Sequence, residues 1–309
     1  MTTQVYSLSI CGRVTLDMHS LNNEGGEGNQ IQTRMVNIVA ANGELYSVNA
    51  ISGDMFKHIQ AEHLYHLARG TLPLCAGCRV FSASRILDDP EFMGDLADKD
   101  SDVIDALLRR CAMDDLEGNL IAKGNRSVPR KSVAEFAWVV GLPEVTRTDS
   151  YFHVRYAAER GGDEKTSQPI FHRPASSGVY AAVTTFELAR IGFNDITQEY
   201  ALDEEERARR YRAFLQSVMY TFIEPSGAMR GTQNPHIVDF QGVVSVSTIV
   251  APAPALSPLN DNYRDEVEAV AQALDGDGGL QTHRFDSMSG FVEVMQRLIA
   301  DTRPYRMFG

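Results

Sequence analysis

LYSVNAISGDMFKHIQAEHLYHLA, residues 45–68, decides the fold, because an apolar strand runs straight into a helix across the turn Ile51-Ser52-Gly53. Ser52 is a helix-capping residue whose hydroxyl can accept a bond from the first free amides. Asp54 lies in the first turn, where the helix dipole favours a carboxylate. Phe56, Ile59, His63 and Leu67 recur at helical spacing and mark an inward stripe, so a helix is predicted from Gly53 to about Ala68. The same turn has a chemical reading. Free amides, a hydroxyl, and Lys57 and His58 just over one turn later form a set that can hold a phosphate, and Gly53 would let a ligand approach the backbone closely. A well-capped helix with a solvated lysine is the plainer alternative.

Upstream, QVYSLSICGRVTL (4–16) alternates as a strand. The segment from His19 to Thr33 contains NNEGGEGNQ, almost without apolar residues, and is expected to be a surface loop. It lacks the Gly-Lys-Ser/Thr ending of a nucleotide-binding loop, although Gln30, Gln32 and Arg34 after it could reach a nucleic-acid backbone. Val36 to Val48 reads as a hairpin about Asn42-Gly43.

Downstream, residues 70–148 break into short helices and loops, including Val103–Met113 and Val133–Val140, with Pro73, Pro90, Pro129 and Pro143 as breakers. This region is expected to be an insertion. Strand-like stretches at 151–158 and 178–188 flank a long polar tip and make a projecting hairpin. Asp203 opens a helix to about Phe222 with Tyr211, Leu215, Val218 and Phe222 on one face. A loop then leads to a strand at Val238–Val250, and helices at 263–274 and 290–300 follow. With the insertion and hairpin tip removed, the order is strand, helix, strands, helix, strand. That is an α+β sandwich of the ferredoxin-like or RNA-recognition-motif kind.

Composition narrows the function. A chain of 309 residues with 43% hydrophobic content can bury a full core. No apolar run is long enough to cross a bilayer, so a soluble, cytoplasmic protein with no membrane partner is expected. The formal charge of −12 opposes global coating of nucleic acid. Yet acidic residues concentrate in 88–117 and 195–206, while Arg126, Arg130, Lys131, Arg147, Arg155, Arg160 and Arg173 lie in balanced or basic stretches, leaving room for a basic groove on an acidic body.

His63, His66, Cys75 and Cys78 give H-x2-H-x8-C-x2-C, a set that can close a structural zinc site or can be ordinary histidines and reduced thiols. The stretch Phe171-His172-Arg173-Pro174-Ala175-Ser176-Ser177-Gly178 mixes an aromatic, basic groups and hydroxyls suited to stacking and phosphate contact, or is an exposed loop. Met229, Arg230, Gly231, Thr232 and Gln233 have a similar character. For catalysis, Asp17 and His19 could form an acid–base pair, but no nucleophile motif or convergent carboxylate set accompanies them, so the chain does not read as an enzyme.

SLSICGRVTLDMHSLNNEGGEGNQIQTRMV, LYSVNAISGDMFKHIQAEHL, FHRPASSGVYAAVTTFELARIGF and GAMRGTQNPHIV together resemble the CRISPR-associated autoregulator (DevR) family. That family supplies the backbone subunit of type I Cascade-like effector complexes. The resemblance implies an RNA-recognition-motif (ferredoxin-like) palm over 1–69 and 178–309, an inserted helical fingers region over 70–148 and a β-hairpin thumb over 149–177. It implies as partners a CRISPR RNA, the target DNA strand paired to that guide, further copies of the chain and other Cascade subunits, with no cofactor required. It places RNA contacts at Asn23, Gln30, Gln32 and Arg34; at Ser52, Gly53, Phe56, Lys57 and His58; at His172, Arg173, Ser176 and Ser177; and at Met229, Arg230, Gly231, Thr232 and Gln233. Base pairing would then read sequence while the protein holds the backbone. A DNA-binding transcriptional autoregulator, which the family's older name suggests, and a metal-dependent ribonuclease using Asp17 are the competing classes. No helix-turn-helix pattern supports the first.

Overall fold

The computed structural model of the chain describes residues 2–27, 30–154 and 170–307. Its centre is the strand Ser7–His19, in which Leu8, Ile10, Val14 and Leu16 are buried on one face and Cys11 on the other. A strand buried on both faces needs neighbours on both edges. Ile170–Phe186 pairs with one edge and His236–Ser247 with the other, both antiparallel, so that Val14 faces Tyr180 and Phe240. The sheet continues outward through Leu280–Phe285 on one side and through Val139–Val154, Leu45–Ile51 and Met35–Val39 on the other.

Helix α1 (Gly53–Ala68) and the helices Glu204–Ile223 and Met288–Asp301 pack into the larger core on one face; Tyr263–Leu274 closes a smaller cluster of Cys11, Val243, Tyr263 and Val267 on the other. Helix α1 has the predicted bounds. Its buried stripe, however, is Phe56, Ile59, Gln60, Leu64 and Ala68, with His63 and Leu67 only half-buried. The helix from Glu204 is capped by Asp203, whose carboxylate accepts the Glu206 amide at 2.8 Å, and Tyr211, Leu215, Val218 and Phe222 are all buried. Among the described residues no helix is long and apolar enough to cross a membrane.

Three expectations are corrected. The segment 133–140 is strand rather than helix: Ala134–Phe136 pairs with Ile170–Phe186, while Val139 and Val140 pair with Ile51 and Ala50. Its β-branched and aromatic residues Val133, Phe136, Trp138, Val139 and Val140 suit a pleated surface better than a helix. Residues 139–148 therefore belong to the central sheet, and the inserted region ends before them. The stretch after His19 is a hairpin, Asn23–Glu27 with Gln30–Thr33, because backbone pairing needs no apolar side chains and Gly25, at φ 111°, absorbs the register shift. Leu280–Phe285, unassigned from sequence, is an edge strand.

The inserted region comprises α2 (Ala76–Arg79), further short helices including Asp100–Arg110 and Ala112–Glu117, and the hairpin Asn119–Lys123 with Arg126–Arg130. Asp115 fastens it to the core. Its carboxylate meets Arg130 at 2.7 Å and Arg210 of the long helix at 2.9 Å, with all three side chains fully buried.

Candidate nucleic-acid interface

The cap of α1 forms as its sequence requires. Ser52 is extended (φ −65°, ψ 150°), its Oγ accepts the Met55 amide at 3.2 Å, and its own amide donates to Asn22 Oδ1 at 2.9 Å. That last bond draws the segment following the central strand against the helix start. Asn49 extends the tie: its Nδ2 donates to Thr33 Oγ1 at 3.1 Å, and its Oδ1 accepts the Tyr180 hydroxyl at 2.8 Å.

Not every residue expected at this turn faces outward. Phe56 is 1% exposed and meets Phe222 edge-on at 5.9 Å, so it is core and cannot touch a ligand. A Cβ on Gly53 would come within 2.3 Å of the Phe136 carbonyl oxygen; the close approach that needs glycine is by a strand of the same chain, not by a ligand. Lys57 is half-buried, donates to Ser132 Oγ at 2.8 Å, and has its pKa lowered by burial, partly offset by the carboxylate of Glu117. His58 is exposed, with its ring 5.6 Å from Phe81. Lys57, His58, Asp54, Phe81, Ser82 and Arg85 line a cleft of about 290 Å³ between α1 and the inserted region. Lys57 and His58 thus share a cleft wall, with Lys57 anchored inward.

A second group assembles from segments far apart in sequence. Val139–Val154 and Ile170–Phe186 form a long ladder through Val154 and Ile170; the tip between them lies outside the described residues. Just beyond the last pair with the central strand, Ser176 with His19, Arg173 Nη1 donates to Thr232 Oγ1 at 3.3 Å and Gln233 Nε2 to the Pro174 carbonyl at 2.9 Å, so the loop carrying Met229 to Gln233 rests on the hairpin. Ser177 Oγ accepts the Met18 amide at 2.9 Å. His172 pairs in register with Gln30, which brings in the hairpin of 23–33; the side chains of Asn23 and Gln30 lie outside the described residues. Gln32 is exposed, and the Arg34 guanidinium sits 5.0 Å from the centre of the Trp138 ring. Within the loop, Met229 is half-buried, Gly231 is exposed, and Arg230 forms an ion pair with Glu224. Ser176 is different: it is 1% exposed and its hydroxyl is bonded to Thr148 Oγ1 at 2.8 Å, an internal contact across the ladder.

The structure adds residues that sequence reading missed. Trp138, Tyr151 and Phe152 are 42%, 41% and 60% exposed, and Phe152 meets His172 edge-on at 5.7 Å. Exposed aromatic faces beside basic and amide side chains are the groups on which unpaired bases stack. The pair Tyr151-Phe152 was the available signal, since adjacent residues on a strand point to opposite faces and both cannot enter one core.

Three of the cations in the expected basic stretches are engaged in ion pairs within the chain. Arg126 pairs with Asp100 at 2.6 Å, Arg130 is buried on Asp115, and Lys131 meets Glu187 at 2.9 Å. Arg147 is exposed, and Arg155 and Arg160 lie outside the described residues. His19 is 2% exposed, edge-on to Tyr180 at 5.0 Å, with its pKa pushed down to about 4 by burial. The predicted zinc set does not form: His63 Nε2 is 2.9 Å from the Glu224 carbonyl and His66 is exposed, whereas Cys75 and Cys78 gather with Cys111 and Asp114.

Residues 10–268 match the family described as the CRISPR-associated negative auto-regulator DevR/Csa2. The CRISPR-associated protein Cas7/Csa2 1 of Saccharolobus solfataricus is 24% identical over 282 residues, covering 87% of this chain and 86% of that protein. The CRISPR-associated protein Cas7/Cst2/DevR of Methanocaldococcus jannaschii is 23% identical, covering 94% and 98%. Among solved structures, a chain of a CRISPR RNA-guided surveillance complex in its pre-nicking state is similar with a TM-score of 0.51 at 14% identity, covering 94% of this chain and 99% of that one.

Proposed function

The chain belongs to the DevR/Csa2 family of CRISPR-associated proteins, and from that premise we propose that it is a non-catalytic backbone subunit that binds CRISPR RNA in a type I Cascade-like complex. Several copies would line the guide, contact one another and other Cascade subunits, and present the guide for pairing with target DNA. The neighbour order His236–Ser247, Ser7–His19, Ile170–Phe186, Val139–Val154, with α1 and Glu204–Ile223 on one face, supports reading the body as an RNA-recognition-motif palm. The outer part of the ladder formed by 139–154 with 170–186, within 149–177, is then the thumb, and the inserted region the fingers.

The observation that carries this reading is the convergence of Gln32 and Arg34, His172, Arg173 and Ser177, and Thr232 and Gln233 around the base of that ladder, beside exposed aromatic rings. Amides, hydroxyls and a few cations are backbone-holding groups, which suits a protein that leaves sequence reading to base pairing. Few cations per subunit suffice when copies act together along one strand.

The test is purification of the chain from cells transcribing a CRISPR array. A bound RNA of uniform length with repeat-derived ends is expected. Incubation of the purified protein with labelled RNA and divalent metal should leave the RNA intact; cleavage abolished by Asp17→Ala would replace this reading with a ribonuclease.

A further inference from the structure

We propose that Cys75, Cys78, Cys111 and Asp114 form a structural site for a single zinc ion that staples the inserted region, independently of the RNA-binding reading above. The four residues are buried, and their ligand atoms all lie within 4.8 Å of one another. A tetrahedral zinc with thiolate bonds of about 2.3 Å needs sulfurs roughly 3.8 Å apart, so small adjustments close the site. The spacing is that of a paired zinc knuckle: Cys75-x2-Cys78 from one segment and Cys111-x2-Asp114 from another, with a carboxylate in the fourth place. Sequence reading joined the first pair to the upstream histidines because the second pair has no matching cysteine.

The local backbone is already arranged for a cation. Cys75 caps α2, and its sulfur accepts the Cys78 amide at 3.3 Å, the bond that stabilises a thiolate in such turns. A Cβ on Gly77 would come within 2.0 Å of the Arg85 carbonyl oxygen, so the segment from Arg85 to Asp88 can pack this closely on α2 only with glycine there. Cys111 stands at the cap of Ala112–Glu117. Asp114 is oriented from behind: its Oδ1 accepts from Asn119 Nδ2 at 2.6 Å and from the Ile86 amide at 3.3 Å. Its Oδ2 faces the Cys75 and Cys78 thiols at 3.3 and 3.5 Å. One carboxylate oxygen held by outer donors and the other aimed at three sulfurs is how a ligand is pre-set for a metal. On binding, the thiols release their protons to solvent, and three thiolates with one carboxylate more than balance the charge of a divalent ion. Two thiols alone would serve a redox disulfide; the third sulfur and the oriented carboxylate are what a divalent, thiolate-preferring cation adds a need for.

Cys78 and Met113 also line the cleft shared by Lys57, His58 and Arg85, so the ion would fix that wall. The test is metal analysis of the full-length protein prepared with zinc, with cobalt substitution as a second readout. One equivalent of zinc per chain is expected, retained by the His63→Ala/His66→Ala double variant and lost or sharply weakened in Cys111→Ser and Asp114→Asn. Cobalt-loaded wild type should show tetrahedral bands and thiolate-to-metal charge transfer, the latter reduced by about one third in Cys111→Ser, a reading that needs no loss of fold. Metal-free protein under these conditions, a cobalt spectrum indifferent to Cys111→Ser, or a Cys75–Cys78 disulfide in intact mass analysis would each overturn the site.

Discussion

At the scale of residues, several side chains have roles different from those their sequence positions suggest. Gly53 stands where a phosphate-binding turn would need it, but the space above its Cα is filled by the Phe136 carbonyl. Gly53→Ala is therefore expected to destabilise the protein by about 1–3 kcal/mol through backbone clash, measured by denaturant unfolding. Lys57→Glu would set a new carboxylate near buried Glu117, so its effect should include lost stability and not RNA affinity alone. Arg173 lies farther from buried carboxylates: Arg173→Glu should weaken RNA binding and reduce its salt dependence, and Thr232→Ala, which removes the same hydrogen bond but keeps the charge, should leave the salt dependence unchanged. His19 gives a pH signature. Its folded-state pKa of about 4 lies below the ordinary 6.5, so the unfolded chain binds its proton first as pH falls. Its contribution is complete above about 6.5 and is lost progressively down to about 4, totalling about 3 kcal/mol. His19→Gln should flatten that part of the stability–pH curve, and an unchanged slope would contradict the burial described.

At the scale of elements, legibility followed the strength of local signals. Helix α1, Asp203 at the next long helix, the Asn42-Gly43 turn and the helix 263–274 could be read because caps, turn residues and helical spacing agree there. Residues 133–140 sit among prolines that break 70–148 into short pieces, so their β-branched residues are easily read with the helices around them, and 23–33 is illegible because hairpin pairing rests on backbone groups that composition does not report. The candidate interface was half legible. Arg173, Thr232 and Gln233 could be singled out by type, but their contacts span 59 residues of sequence, and no local pattern predicts them. Cys111 and Asp114 were missed for the same reason. The attachment of the inserted region is likewise nonlocal. Asp115→Ala would leave Arg130 and Arg210 buried without their shared partner, and a loss of about 3–5 kcal/mol in unfolding free energy is expected.

At the scale of the whole molecule, an acidic chain that belongs to a CRISPR-associated family reconciles charge with RNA by economy. Arg130 and Arg210 are buried on Asp115, fastening the inserted region, and the few cations at the hairpin base are backed by amides, hydroxyls and aromatic faces. On the proposed reading, such a surface would be weak in one copy and strong in a row of copies on one strand. The measurement that tests this most directly is the binding of the purified chain to a labelled CRISPR RNA, followed by mass photometry or native mass spectrometry as RNA length increases. Stepwise addition of copies with RNA length, lost on Arg173→Glu, is the predicted result. A chain that stays monomeric and nucleic-acid-free in the presence of that RNA would contradict the account.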